Sequence, residues 1–197
     1  MQSIWRFLTD FGDTAVTVPL AIVMTVFLVA ARQRRLAIAW ALTIAGCAGL
    51  TATLKLALRV CGHPLSGSTL NSPSGHTAMS IAVYGGIAIV VGSTLGLAAR
   101  RGLFAAAMVF ALTIAVSRAV IHAHSPIEVA IGLAVGLVTL LIMMATTRRY
   151  RPQTLPLHWL AAGAAVVFVL FHGTRWPAEQ AIHHLARWLD ILRPYCS

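Results

Sequence analysis

A chain of 197 residues with a mean hydropathy of +0.82, 58% of it apolar and only 10% charged, is not a water-soluble globule, in which about a quarter of the residues carry charge. Its net charge of +10 comes from fourteen arginines and one lysine against five acids. The arginines stand in short gaps between apolar runs, which suits anionic headgroups and topology signals and argues against a groove-binding patch for nucleic acid.

In chain order, residues 1–13 set Trp5, Phe7, Leu8 and Phe11 among Arg6, Asp10 and Asp13, a composition that predicts a short interfacial helix. No small-residue cleavage site follows, so the first apolar run is expected to be a retained span. Apolar runs predict spans at about 14–31, 36–58, 77–99, 102–121, 126–147 and 157–171, each near the ~20 residues that cross a bilayer. Gly46, Gly49, Gly85, Gly86, Gly132 and Gly136 offer small faces for helix packing. Beyond the last span, Pro177 opens an amphipathic stretch that predicts a second interfacial helix, with His183 and His184 on its solvated face. The fold class is therefore an all-α integral membrane protein. It is a single domain over residues 1–197, a six-transmembrane-helix bundle with short interfacial helices at both termini.

Three connectors carry Arg32, Arg34 and Arg35, then Arg100 and Arg101, then Arg148, Arg149 and Arg151. By the positive-inside rule these loops are cytoplasmic and both termini lie outside. Cys47 falls mid-span and reads as packing. Cys61 and Cys196 fall on one side, where a disulfide between them is open; none of the three cysteines has metal-ligand spacing.

Counting spans brings the unusual polar residues to one membrane face, the non-cytoplasmic one. Lys55 and Arg59 end the second span, and Ser74, Gly75 and His76 open the third. Arg118 closes the fourth, and His124 and Glu128 open the fifth. An ionisable residue at such a boundary is a functional-site hypothesis. The cations suit a phosphoryl group, and Ser74-Gly75 before a helix offers backbone N–H groups to an anion. Two histidines can divide nucleophilic attack from protonation of the leaving oxygen, and Glu128, four residues beyond His124, can orient that ring. It also reads as the third residue of a capping box opened by Ser125 and Pro126, and the two roles are compatible. With one carboxylate in the group, metal-free transfer is favoured and no cofactor is expected. His122 competes with His124 as nucleophile, while His158, His172, Ser80 and Tyr84 read as packing or interfacial residues.

Pro73-Ser74-Gly75-His76, followed by Ser117-Arg118-x5-His124-x3-Glu128, resembles the second and third signatures of the type 2 phosphatidic acid phosphatase superfamily, which includes membrane lipid phosphatases and vanadium haloperoxidases. The resemblance implies that His124 is a nucleophile forming a phosphohistidine and His76 the general acid. Lys55, Ser74, Gly75 and Arg118 would hold the phosphate. Two departures stand out. Glu128 replaces an aspartate of the pattern, and the first signature, K-x6-R-P, is degraded around Lys55 and His63-Pro64. Either Arg59 or His63 takes the place of the missing arginine. The activity this implies is hydrolysis of a phosphate monoester or pyrophosphate on a lipid. Polyprenyl (undecaprenyl) pyrophosphate is the first expectation, with phosphatidate and phosphatidylglycerol phosphate close behind. Phosphotransfer from a polyprenyl pyrophosphate to another lipid headgroup needs the same site, and a small transporter or scaffold with an anion site is the rival from another class. The expected partners are the bilayer and its lipid substrate, not nucleic acid, and the expected location is a cell membrane, the inner one of a bacterium.

Overall fold

The computed structural model describes residues 2–61, 72–150 and 155–189, and every regular element among them is helical. We number them α1 (Gln2–Asp10), α2 (Thr14–Ala30), α3 (Arg34–Cys61), α4 (Gly75–Gly92), α5 (Leu97–Val120), α6 (Pro126–Arg149), α7 (Leu157–Phe171) and α8 (Ala178–Trp188). Ile81–Gly85 in the middle of α4 form a π-helical segment. His63, and the Cys61–Cys196 pairing through Cys196 and the side chain of Cys61, lie outside the described residues.

Five stretches are long and apolar enough to cross a membrane: Gln2–Ala30, α3, α4, α5 and α6. At 15 residues, α7 is shorter than a typical span. The outward faces of the long helices are aliphatic, with Ile38, Leu42, Val109 and Leu141 all exposed. A water-soluble surface does not tolerate such continuous apolar area, and lipid does. The bundle turns on α4, whose apolar window is 78% buried against 22% for α5. Small residues make this possible. On α6, a methyl group at Gly136 would lie 2.7 Å from Cβ of Ile81, and one at Gly132 would fall on the carbonyl oxygen of Ser74. Gly85 is covered by Leu140 and Gly86 by Trp40. Trp40, fully buried, donates its indole N–H to the carbonyl of Ala21 at 3.0 Å and ties α3 to α2. Cys47 packs in the core with Sγ 3.8 Å from the carbonyl of Ala78, in keeping with its reading from sequence. Gly46 and Gly49, expected to join this packing, meet nothing within 4 Å among the described residues.

The third and fourth spans depart from their expected bounds. The helix stops at Gly92, where the hydroxyls of Ser93 and Thr94 turn back onto the carbonyls of Val90 and Val91 at 2.6 and 2.8 Å. Gly96 then caps α5, accepting the N–H of Arg100 at 2.9 Å. Arg100 and Arg101 therefore lie in the opening turns of α5 and not in a connector, and their long stems let the charges reach the boundary from within a helix.

At the other end of the bundle, the chain closes α5 with His122 in the left-handed region (φ 55°), and the Ala123 N–H returns to the carbonyl of Arg118 at 3.0 Å. This is the helix-ending geometry in which one residue must take positive φ.

Candidate active site

Of the sequence-predicted residues, Lys55, Ser74, Gly75, His76, Arg118, His124 and Glu128 meet where α3 and α5 end and α4 and α6 begin. Glu128 is the centre of this arrangement and is almost fully buried. Its Oε2 lies 3.0 Å from Nδ1 of His124 and accepts the Ser125 N–H at 3.0 Å, while Oε1 accepts the Ser72 N–H at 2.7 Å. The Ser125 hydroxyl in turn accepts the N–H of Glu128 at 3.4 Å, so the expected capping box and the histidine contact coexist in one side chain. A carboxylate facing Nδ1 holds the proton there and leaves Nε2 with its lone pair. The added methylene relative to aspartate finds a physical account: the third helical position of a capping box must reach back over the cap, and His124 sits just before that cap.

Glu128 also anchors the neighbouring segment through its backbone, its carbonyl accepting the Ser74 N–H at 3.0 Å. Ser74, fully buried, caps α4 by accepting from Thr77, whose hydroxyl lies 3.0 Å away. Gly75 faces the buried Lys55; a Cβ placed on it would lie 3.6 Å from the lysine Nζ. The Ser72–His76 segment is thus clipped to α6 at two points and brings its amide groups beside a cation.

A cavity of about 570 Å³ opens here. Lys55, Gly75, His76, Arg118 and Asp13 line it together with apolar Val18, Ala48, Met79 and Ile121, and residues 175–177 and Gln180 complete the lining. His124 stands next to Ala123 of this wall, and the charges of Lys55 and Arg118 bear on its imidazole. Burial is the main influence holding the His124 ring below the usual histidine pKa. Arg118 and Lys55 act in the same direction, and Glu128 opposes them. Arg59, a turn beyond Lys55 on α3, is half-buried and does not line the cavity. His122 is exposed and serves the turn, with no part in the His124–Glu128 pair.

A family model, that of the PAP2 superfamily, matches residues 53–152, just over half of the chain. The chain belongs to the PAP2 superfamily. The match contains Lys55, Ser74, Gly75, His76, Arg118, His124 and Glu128. A PAP2 superfamily chain is expected to act as a phosphatase on phosphate esters, and the apolar helices make this one a membrane protein. Over 187 residues it is 27% identical to an uncharacterized 22.5 kDa protein in the cps region of Klebsiella pneumoniae, covering 92% of this chain and 90% of that one. No solved structure matches.

Two residues at this PAP2 site lie outside the family match and were not singled out from sequence. Thr9 accepts from Nη1 of Arg118 at 3.3 Å, and Asp13 places Oδ2 3.4 Å from Nε2 of His76. Their sequence signal was an acid and a hydroxyl in an apolar N-terminus, which the interfacial reading of residues 1–13 absorbed.

Proposed function

We propose that the protein is an integral-membrane lipid phosphatase that hydrolyses a lipid phosphate monoester or pyrophosphate through a phosphohistidine. The observation that carries the reading is the His124–Glu128 pair at 3.0 Å. It stands beside a cavity that Lys55, Arg118 and His76 line. Glu128 holds the Nδ1 proton, and Nε2 of His124 attacks phosphorus in line with the leaving oxygen. As the P–O bond breaks, His76 gives that oxygen a proton. Water then attacks the phosphohistidine, inorganic phosphate departs and the imidazoles recover their starting forms. Lys55, Arg118 and the amides of Gly75 and His76 offset charge on the equatorial oxygens, the Ser74 N–H being held by the Glu128 carbonyl. Arg59 is the candidate to supply the cation that the degraded first signature lacks.

The substrate class is argued from the cavity. It is several times larger than a phosphate, and its inner walls are apolar, which fits a headgroup with the root of a hydrocarbon chain. A polyprenyl pyrophosphate, a compact charged head on a hydrocarbon chain, is the first substrate on this reading. The same cavity also accommodates phosphatidate and phosphatidylglycerol phosphate. On this reading six spans put the site at the non-cytoplasmic face of a cell membrane.

The test is phosphate release by purified protein across these lipids, with and without chelator, for wild type and His124→Ala. The expected result is chelator-insensitive release that falls by at least ~10³-fold in the variant, as loss of a nucleophile does. Equal release by both proteins removes the mechanism. Product analysis with an added acceptor lipid separates hydrolysis from phosphotransfer, and no release from any lipid with an intact fold leaves an anion-binding membrane protein.

A further inference from the structure

On the proposed mechanism His76 is the proton donor, yet Lys55 and Arg118 line the same cavity, and two cations oppose a third positive charge there. A carboxylate beside the ring favours its charged form, and the one that the described residues bring to His76 is Asp13, with Oδ2 3.4 Å from Nε2, while Glu128 faces His124. We propose that Asp13, delivered by the N-terminal turn, is the positioning residue for His76: its carboxylate holds the imidazolium in place and offsets its charge while the ring gives one proton to the leaving oxygen. This rests on the phosphatase reading above and extends the site to a segment that the family match does not include.

The chain between α1 and α2 is built to make this contact. At Gly12 a methyl group would lie 2.6 Å from Cγ2 of Ile114 and 2.8 Å from the hydroxyl of Ser80, so a side chain there would push the turn away from α4 and α5. The Tyr84 hydroxyl, in the π-helical segment of α4, donates to the carbonyl of Phe11 at 2.7 Å. The Phe11 ring sits between Phe110 and Phe168, with centroids 5.4 Å from each. Asp13 is then fixed from the far side: Oδ1 accepts the Ala15 N–H at 2.9 Å as the cap of α2, which turns Oδ2 to Nε2 of His76. A cap needs one side-chain oxygen and any exposed end of a helix provides room for it. This cap is buried and lines the cavity.

The competing account is that Asp13 does nothing beyond capping, and two substitutions separate the accounts. Asn and Ser cap helices about as well as Asp, so Asp13→Asn and Asp13→Ser keep the cap and remove the charge. Full-length proteins in detergent are assayed on two substrates. One is the alkyl phosphate released fastest by wild type, whose alkoxide must be protonated as it leaves. The other is p-nitrophenyl phosphate, whose phenolate leaves without a proton. Both variants are expected to lose ~10²-fold or more in kcat on the alkyl phosphate, the scale of general acid catalysis. KM changes little, and loss on the aryl phosphate stays within ~5-fold. His76→Ala should show the same selectivity, and adding Asp13→Asn to it should cost little more. Wild-type rates, a change confined to KM, or equal losses on both substrates would overturn the assignment and leave a plain helix cap. If His124→Ala stays active on both substrates, the phosphatase reading fails and takes this assignment with it. Dependence on His124 with unselective Asp13 variants sinks this assignment alone.

Discussion

Among the described residues, three donors meet the two oxygens of Glu128: His124 Nδ1 and the Ser125 N–H on one, and the Ser72 N–H on the other. A glutamine has one carbonyl oxygen, so Glu128→Gln must turn an NH2 group toward a donor. With both sides buried, the mismatch costs about 1–3 kcal/mol, to be read as a lower unfolding midpoint in detergent. The change should also disturb the Ser72–His76 segment, so phosphate release falls with stability. The pH dependence follows from the same pair. In the proposed mechanism His124 attacks as the neutral ring, and burial holds its pKa below the ordinary value. Activity governed by this ring should therefore persist below pH ~6.5 and fall only as pH drops through the lowered value. Glu128 is the influence that raises it, so in Glu128→Gln the acid limb of kcat/KM moves to still lower pH, even as the rate drops. An acid limb at or above the wild-type position in the variant would show that another group controls it.

At the scale of elements, the site depends on how closely α6 meets the start of α4. Gly132 lies against the Ser74 carbonyl, and Ser74 caps α4 while its N–H is held by Glu128. Gly132→Ala must push Ser74 outward, because backbone cannot yield as a flexible side chain does. A displacement of about 1 Å in a positioned group costs on the order of 10²-fold in rate. We expect at least that loss of phosphate release from a protein that still inserts and folds. Gly46→Ala is the control: the position is open, and replacing a helical glycine should stabilise by about 0.5–1 kcal/mol with no loss of activity. The glycine pattern was legible in the sequence, but which glycines are contacts was not, since small residues mark a face without saying whether a neighbour occupies it. The helices themselves were legible because lipid forces backbone pairing within each segment. The Arg100–Arg101 pair was misplaced for a physical reason. Charge was read as a loop signal, while Gly96 and the hydroxyls of Ser93 and Thr94 set the actual break. His124, Glu128 and the Ser74–His76 run were readable through their spacing. Asp13 and Thr9 were not, because their partners stand 63 and 109 residues away and only the packing of Phe11, Gly12 and Tyr84 brings them in.

For the whole molecule, the open question is whether α7 completes a sixth crossing, which decides on which side the chain ends relative to the cavity. Its 15 residues measure about 22 Å as a helix, short of a hydrocarbon core of about 30 Å. Its two ends nevertheless reach different regions. Leu157 follows closely on α6, whose last turn carries Arg148 and Arg149 and whose next residue, Tyr150, lines a recess with Arg32, Arg34 and Arg35. His172, just past its other end, places Nε2 3.1 Å from the carbonyl of Phe7 and packs its ring, tilted by 54°, against Phe11, beside the turn that carries Asp13. The helix therefore runs from the arginine end to the cavity end. Short spans are accommodated by local thinning of the bilayer and by the polar residues that flank them. Single cysteines at His122, Gly96 and Thr174, in a background where Cys47, Cys61 and Cys196 are alanine, test this in intact cells with a membrane-impermeant maleimide. His122→Cys and Thr174→Cys should label from outside, and Gly96→Cys only after permeabilisation. Labelling of 174 with 96 would mean that α7 dips into the membrane and returns, and labelling of 96 alone from outside would invert the orientation that the arginines imply.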